Sequence, residues 1–273
     1  MSDPNPENLR LLPPPDDRSL RRRGVYLLPN LFTTSALFAG FYAIVASING
    51  RFEPAAVAVF VAMVLDGIDG RIARLTNTQS DFGKEYDSLA DMVSFGVAPA
   101  IVAYEWVFYE IGKIGWLAAF IYVSAAALRL ARFNAQAATT DKKYFKGLPS
   151  PASAAVVAGF IWFCASYDLR NHALIVALSV LITVACALLM VSNIRYYSFK
   201  DLDFHGRVPF MAIFAMVIAF GLISLHPAAV LFTGFLCYAS SGPVLTLYRM
   251  RRHQERRQNA DNGKGGDERP GAT

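Results

Sequence analysis

Residues 53–75 read EPAAVAVFVAMVLDGIDGRIARL, an apolar run that carries two aspartates, Asp66 and Asp69, in its second half. A hydrocarbon core of about 30 Å needs about 20 mostly apolar residues in a helix, and this run is long enough. Seven more stretches reach that length, near 29–49, 84–110, 114–136, 151–167, 171–193, 207–225 and 227–250. Pro29 and Asn30 open the first, Pro151 opens the fifth, and His226-Pro227 separates the last two. The sequence therefore predicts an all-α, polytopic integral membrane bundle of about eight transmembrane helices.

Composition agrees. Hydrophobic residues are 54% of the 273 and charged residues 17%, against roughly 45–50% and about 25% in soluble domains. Mean hydropathy is +0.34. Residues 27–252 hold 30 of the 47 charged side chains, bunched between apolar runs rather than spread over a surface. This excludes a soluble globule, a fibre and a disordered chain. The net charge of +5 does not indicate nucleic acid, because the basic residues gather at the edges of apolar runs instead of interleaving with aromatics. Cys164, Cys186 and Cys237 lie in apolar stretches without C-x-x-C spacing and are expected to be small core residues.

An even number of spans puts both termini on one side. The tails and the cytoplasmic-side ends and loops after spans two, four and six hold 23 of the 26 Lys and Arg, leaving Arg51, Lys113 and Arg170 for the other loops. By the positive-inside rule both termini are cytoplasmic, in a cytoplasmic (inner) membrane. Four regions follow: a disordered tail 1–17, a basic segment 18–28, a membrane domain 29–252 and a disordered tail 253–273. Arg18, Arg21, Arg22 and Arg23 precede Val25 to Leu28, the pattern of a short interfacial helix on an anionic leaflet. A cleavable signal peptide shares that pattern, but the apolar run is too long and no cleavage site leads into a soluble domain.

A charged group inside a span costs about 2.5–3.5 kcal/mol on insertion scales, so an intramembrane acid is a functional candidate. Four occur together. Asp66 and Asp69 are i,i+3 in span two, Asp87 and Asp91 are i,i+4 in span three, and each pair lies on one helix face. A short loop near 75–82 makes the two helices antiparallel neighbours. At 1.5 Å per residue Asp66 is about 20 Å from the outer start of its span and Asp91 about 12 Å from the cytoplasmic start of its own. All four carboxylates then converge roughly 10 Å below the cytoplasmic face.

Like charges so close repel strongly in low dielectric. Divalent cations compensate them, and oxygen ligands without His or Cys favour Mg²⁺, Mn²⁺ or Ca²⁺. Four acids suit two ions, as in two-metal phosphoryl transfer. Gly67, Gly70 and Ala73 open space beside the acids, and Arg74 can reach a diphosphate with its guanidinium fork. The competing interpretation is a structural ion network with Arg71, Arg74 and Lys84. Glu105 and Glu110 read as interfacial residues. The four histidines lie at span edges or in a tail and share no helix face.

The run Asp66-Gly67-Ile68-Asp69-Gly70, then Ala73-Arg74, Gly83, Asp87 and Asp91 resembles the signature of the CDP-alcohol phosphatidyltransferases. The resemblance implies membrane-embedded helical enzymes that replace the CMP of a CDP-linked lipid with an alcohol. It implies a divalent metal, Mg²⁺ or Mn²⁺ and two ions, held by Asp66, Asp69, Asp87 and Asp91. It also implies Asp91 as the catalytic base on the incoming hydroxyl, and Gly70, Ala73, Arg74 and Gly83 as the CDP-lipid-binding residues. A homodimer is implied as well.

Three further stretches are similar to the CDP-diacylglycerol–serine O-phosphatidyltransferase branch: Pro29 to Thr33, Ser94 to Pro99, and Phe145 to Pro151. With Arg129 and Arg132-Phe133-Asn134 they cover span one to the start of span five. That branch implies CDP-diacylglycerol and L-serine as substrates and phosphatidylserine and CMP as products. Serine's carboxylate needs a cation near the reacting phosphate, and Arg132 and Lys146 are the candidates. Arg129 and Arg132 also fit ordinary positive-inside anchoring. The alternatives are the same chemistry with glycerol 3-phosphate or inositol phosphate as acceptor, or a cation-coupled transporter.

Overall fold

The structure is a computed structural model describing residues 17–76, 80–136, 144–170, 172–197 and 210–264. Among the described residues nine α-helices follow one another: α1 (Asp17–Ile48), α2 (Phe52–Leu75), α3 (Asp81–Asp91), α4 (Ala98–Trp106), α5 (Lys113–Gln136), α6 (Ser150–Ser166), α7 (Ala173–Val191), α8 (Phe210–Leu225) and α9 (Pro227–Lys264). A π-helical segment, Met92–Val97, joins α3 to α4 without a break, and a 3-10 turn, Phe108–Ile111, follows α4. The only strands among the described residues are β1 (Tyr144–Lys146) and β2 (Arg195–Tyr197), an antiparallel ribbon pairing Phe145 with Tyr196. The all-helical expectation is otherwise met.

Four helical stretches among the described residues have the length and hydropathy to cross a bilayer: Pro29–Ile48, Lys113–Ala135, Ala173–Val191 and Pro227–Thr246. The protein is therefore a helical membrane protein. Two expected boundaries differ from the structure. The basic segment 18–28 is not a separate short helix but the start of α1, which runs on through Pro29. The tail expected to be disordered from 253 is helical as far as Lys264. Glu255, Arg256, Arg257, Gln258 and Ala260 are good helix formers and extend α9 beyond its apolar part. Residues 1–16 and 265–273 lie outside the described set.

The core is built from small residues. α1 lies along α2 and crosses α3 and the π segment. At the crossing, Ser94 Oγ donates to the Ala36 carbonyl at 3.1 Å, and a Cβ on Gly40 would overlap Ser94. Ala98, Ala100 and Ala103 of α4 and Ala152, Ser153, Ala155 and Ala158 of α6 are likewise buried. Helices with such faces approach closely and gain dispersion contacts, which drive association where lipid removes the hydrophobic force. The π segment is tied in from two sides: Tyr122 Oη donates to the Phe95 carbonyl at 3.2 Å, and Ser153 Oγ donates to Tyr122 Oη at 3.1 Å.

The stretch Phe145 to Pro151 turns a corner. Gly147 has φ +80, and a Cβ there would run into the Met190 carbonyl. Its N–H donates to Ile194 O at 2.8 Å and that of Leu148 to Leu189 O at 2.9 Å, while Pro149 stands at the N-cap position of α6 without a side-chain capping bond. This fixes the start of α6 against the end of α7. Tyr196 closes the corner by donating to the Ala239 carbonyl of α9 at 2.8 Å.

At the opposite end of the bundle, Arg170 pairs with Glu110 at 3.1 Å and lies over the rings of Phe52 and Tyr109. Glu110 is thus a partner of an end-of-helix cation, consistent with its interfacial reading. Cys164 and Cys186 are buried, as expected, whereas Cys237 is exposed on α9 and is not a core residue.

Candidate active site

The last three turns of α2 and the whole of α3 form the site. α2 opens without a side-chain cap and, Glu53 of its first turn apart, is apolar to Leu65, after which Asp66, Gly67, Asp69 and Gly70 break the pattern. α3 starts where Ser80 caps it, its hydroxyl accepting from the Gly83 N–H at 3.0 Å. That cap fixes the phase of α3 and so the direction of Asp87 and Asp91.

Carboxylate oxygens of Asp66, Asp69 and Asp87 all lie within 4.8 Å of one another. Asp91 lies outside that group of three but near enough for the charges of Asp66 and Asp87 to act on it. Three of the four aspartates singled out by spacing thus converge, and Asp91 lies beside them. Asp69 is buried, and Asp87 Oδ1 is buried without a hydrogen-bond partner. An acceptor shielded from water and left without a donor is costly, by about 1–3 kcal/mol, unless a ligand satisfies it. An all-carboxylate donor set with such an oxygen fits a hard divalent cation.

Space lies beside the cluster. A Cβ built on Gly67 or Gly70 would meet no atom within 4 Å, so these glycines border an opening rather than a packed helix. Ala73 is half-buried one turn further on. Arg74 is exposed, and its Nε donates to the Gly70 carbonyl at 2.8 Å, which holds the guanidinium along the same face. Gly83 has a local reason for its small size: a Cβ there would come to 3.1 Å from Ser80 Oγ and 3.4 Å from Asn30 Oδ1.

The cations distribute differently from the expectation. Arg132 donates to the Val191 carbonyl at 3.2 Å and to Asn193 Oδ1, and so ties the end of α5 to the end of α7. Lys146 is exposed on β1. Arg129, one turn earlier, is the buried cation whose charge acts on Asp91. It donates to Ser150 Oγ at 3.0 Å, and its Nε is buried without a partner. Asn134 donates to Ser88 Oγ at 2.9 Å, a second tie from α5 to α3.

Two residues with no role in the sequence reading thus belong to the site. Arg129 is one of two arginines on the same helix, and nothing local distinguishes it from Arg132. Thr33 donates to Asp69 Oδ2 at 2.8 Å from α1, across 36 positions of sequence. Its only signal was its place in the Pro29 to Thr33 stretch.

A carboxylate cluster with bordering open space, set in a helical membrane bundle, is the arrangement a membrane-embedded enzyme working through a divalent cation needs. The chain belongs to the CDP-alcohol phosphatidyltransferase family, whose sequence profile matches residues 26–191. Among its relatives is the CDP-diacylglycerol–serine O-phosphatidyltransferase of Helicobacter pylori, 39% identical over 230 residues, 83% of this chain and 93% of that protein. The protein of the same name from Methanocaldococcus jannaschii is 33% identical over 186 residues, 68% of this chain and 81% of that one. The one from Saccharomyces cerevisiae is 40% identical over 139 residues, 46% of this chain and half of its own length.

Proposed function

We propose that the protein transfers the phosphatidyl group of CDP-diacylglycerol to the hydroxyl of L-serine, giving phosphatidylserine and CMP. The observation that carries the proposal is the convergence of Asp66, Asp69 and Asp87 within 4.8 Å, in a chain whose relatives bear that enzyme's name over most of its length.

Asp66, Asp69, Asp87 and Asp91 are the residues to hold Mg²⁺ or Mn²⁺, two ions in the reading that four carboxylates favour. When bound, the metal neutralises the diphosphate oxygens and the leaving phosphate. The opening beside Gly67 and Gly70 takes the diphosphate, with Gly70, Ala73, Arg74 and Gly83 lining the CDP side. Asp91 accepts the proton of the serine hydroxyl. The serine oxygen then bonds to the β-phosphorus, the bond from that phosphorus to the CMP phosphate oxygen breaks, and CMP leaves with the electron pair. Proximity carries much of the rate, since both substrates are held against one carboxylate cluster.

Serine's carboxylate calls for a cation on the Asp91 side. Arg129, whose charge acts on Asp91, is the best-supported group. Arg132 and Lys146 stand nearer the rim, and Arg132 has its donors engaged on Val191 and Asn193. Buried Arg129 suits a small zwitterion better than a phosphorylated acceptor, which would draw on a denser cluster of cations.

The same proposal includes eight spans. α2 and the continuous run α3, π segment and α4 join the four apolar helices, α6 and α8 complete the set, and acids in α2 and α3 lower their apparent hydropathy without shortening them. Both termini and the aspartate cluster are then on the cytoplasmic side of the inner membrane, and the chain is a homodimer by the family resemblance. Release of CMP from CDP-diacylglycerol on adding serine, but not glycerol 3-phosphate or inositol phosphate, tests the reaction. CMP release with a phosphorylated acceptor instead changes the acceptor, and none with any acceptor favours a transporter.

A further inference from the structure

We infer that Thr33 of α1 is a positioning residue for the divalent-metal centre, orienting the carboxylate of Asp69 toward the cluster. The inference rests on the proposal that the aspartates hold a divalent cation.

Three consecutive hydroxyl residues of α1 allow a direct comparison. A Thr or Ser inside a helix ordinarily donates to the carbonyl four residues earlier. Thr34 does so to Asn30 O at 2.7 Å, and Ser35 to Leu31 O at 2.8 Å. Thr33 departs from them: its contact with Pro29 O is stretched to 3.2 Å, while Oγ1 lies 2.8 Å from Asp69 Oδ2. A hydroxyl has one proton, and the shorter contact, to an ionised acceptor, is the stronger. Thr33 is 4% exposed and Asp69 4% exposed, so water does not compete for either group.

The geometry has a consequence for ligation. Fixing Oδ2 from the α1 side sets the rotation of the Asp69 carboxylate about its last torsion, which is otherwise broad. The carboxylate so oriented offers an oxygen within 4.8 Å of those of Asp66 and Asp87. Partners that orient ligating carboxylates in this way are worth about 10–100-fold in metal affinity. Because α1 and α2 also pack along each other without this bond, its loss falls on the carboxylate's orientation more than on the helix pair.

The test is Mn²⁺ binding to the purified full chain in lipid nanodiscs, read by electron paramagnetic resonance of free Mn²⁺ with MnCl₂ as titrant. Thr33→Val, which keeps the shape and removes the donor, is expected to weaken Mn²⁺ binding by about 10–100-fold. Thr33→Ser is expected to restore it to within about threefold. The melting midpoint without metal should move by no more than a few degrees in either variant, whereas a merely structural bond would lower that midpoint and leave Mn²⁺ affinity alone. If Thr33→Val does not fold, Thr33→Cys replaces it, with the same weakening expected relative to Thr33→Ser. Affinity of the donor-deficient variant within threefold of wild type, or equal loss in Thr33→Ser, overturns the inference. A wild-type chain that binds no Mn²⁺ overturns the metal proposal itself, and this inference with it.

Discussion

Replacing Gly70 by alanine should raise stability and lower activity, two effects of opposite direction from one methyl group. Gly70 is exposed on α2 between Asp69 and Arg71, and a Cβ there meets no protein atom within 4 Å. Nothing in the protein resists the methyl, and alanine is favoured over glycine in a helix interior by roughly 0.5–1 kcal/mol. For a chain of this size, that is a rise of about 1–4 °C in the melting midpoint. The ligand supplies the resistance. If the diphosphate of CDP-diacylglycerol occupies the opening beside Gly70, a methyl group there overpacks the bound state by about 1–3 kcal/mol. KM for CDP-diacylglycerol should rise about 5- to 150-fold, with KM for serine much less affected. The assay pairs melting of the metal-free, substrate-free protein with steady-state CMP release at varied lipid. A raised midpoint with KM for CDP-diacylglycerol unchanged within twofold would refute the placement of the diphosphate over Gly70. A lowered midpoint would refute the open space itself.

Arg129→Gln removes the positive charge acting on Asp91, and a charge-assisted bond to serine's carboxylate is worth about 1.5–3 kcal/mol. KM for serine should therefore rise about 10–100-fold, with KM for CDP-diacylglycerol within about threefold; steady-state kinetics in both substrates checks this, and equal effects on the two would contradict it. Gly147→Ala should destabilise the protein by roughly 2–5 kcal/mol, the left-handed conformation and the overlap with Met190 O acting together. Thermal unfolding of the purified variant should show a midpoint lower by about 5 °C or more, and an unchanged midpoint would contradict the corner built on this glycine.

How much of this was legible in the sequence depended on whether the signal was local. Apolar length and flanking charge are local, so the helices fell close to their predicted places. The aspartates were legible because charge is rare in a span, and i,i+3 and i,i+4 spacings are direct statements about helix faces. The π segment Met92–Val97 was not. Ser94 apart, its residues are apolar, and all are buried or half-buried like those of an ordinary helix; the Phe95 carbonyl accepts from Tyr122 across the fold, a partner no local pattern shows. Thr33 was not legible either, because a threonine in a helix carries a default partner four residues back, and only the fold brings Asp69 closer. Arg129 and Arg132 differ by less than one turn, so the packing of α5 against α7 and the Ser150 hydroxyl at the start of α6 decide which is buried and which binds Val191 and Asn193. High polarity after residue 253 suggests a disordered tail, but helix propensity carries α9 on to Lys264.

Serine-dependent release of CMP tests the central claim most directly. The purified protein in nanodiscs containing CDP-diacylglycerol should release CMP and form phosphatidylserine only when both L-serine and Mn²⁺ or Mg²⁺ are present. EDTA should stop it, and Asp91→Asn should abolish turnover while CDP-lipid binding persists. Turnover in EDTA, near-normal turnover by Asp91→Asn, or CMP release that ignores serine would contradict the claim.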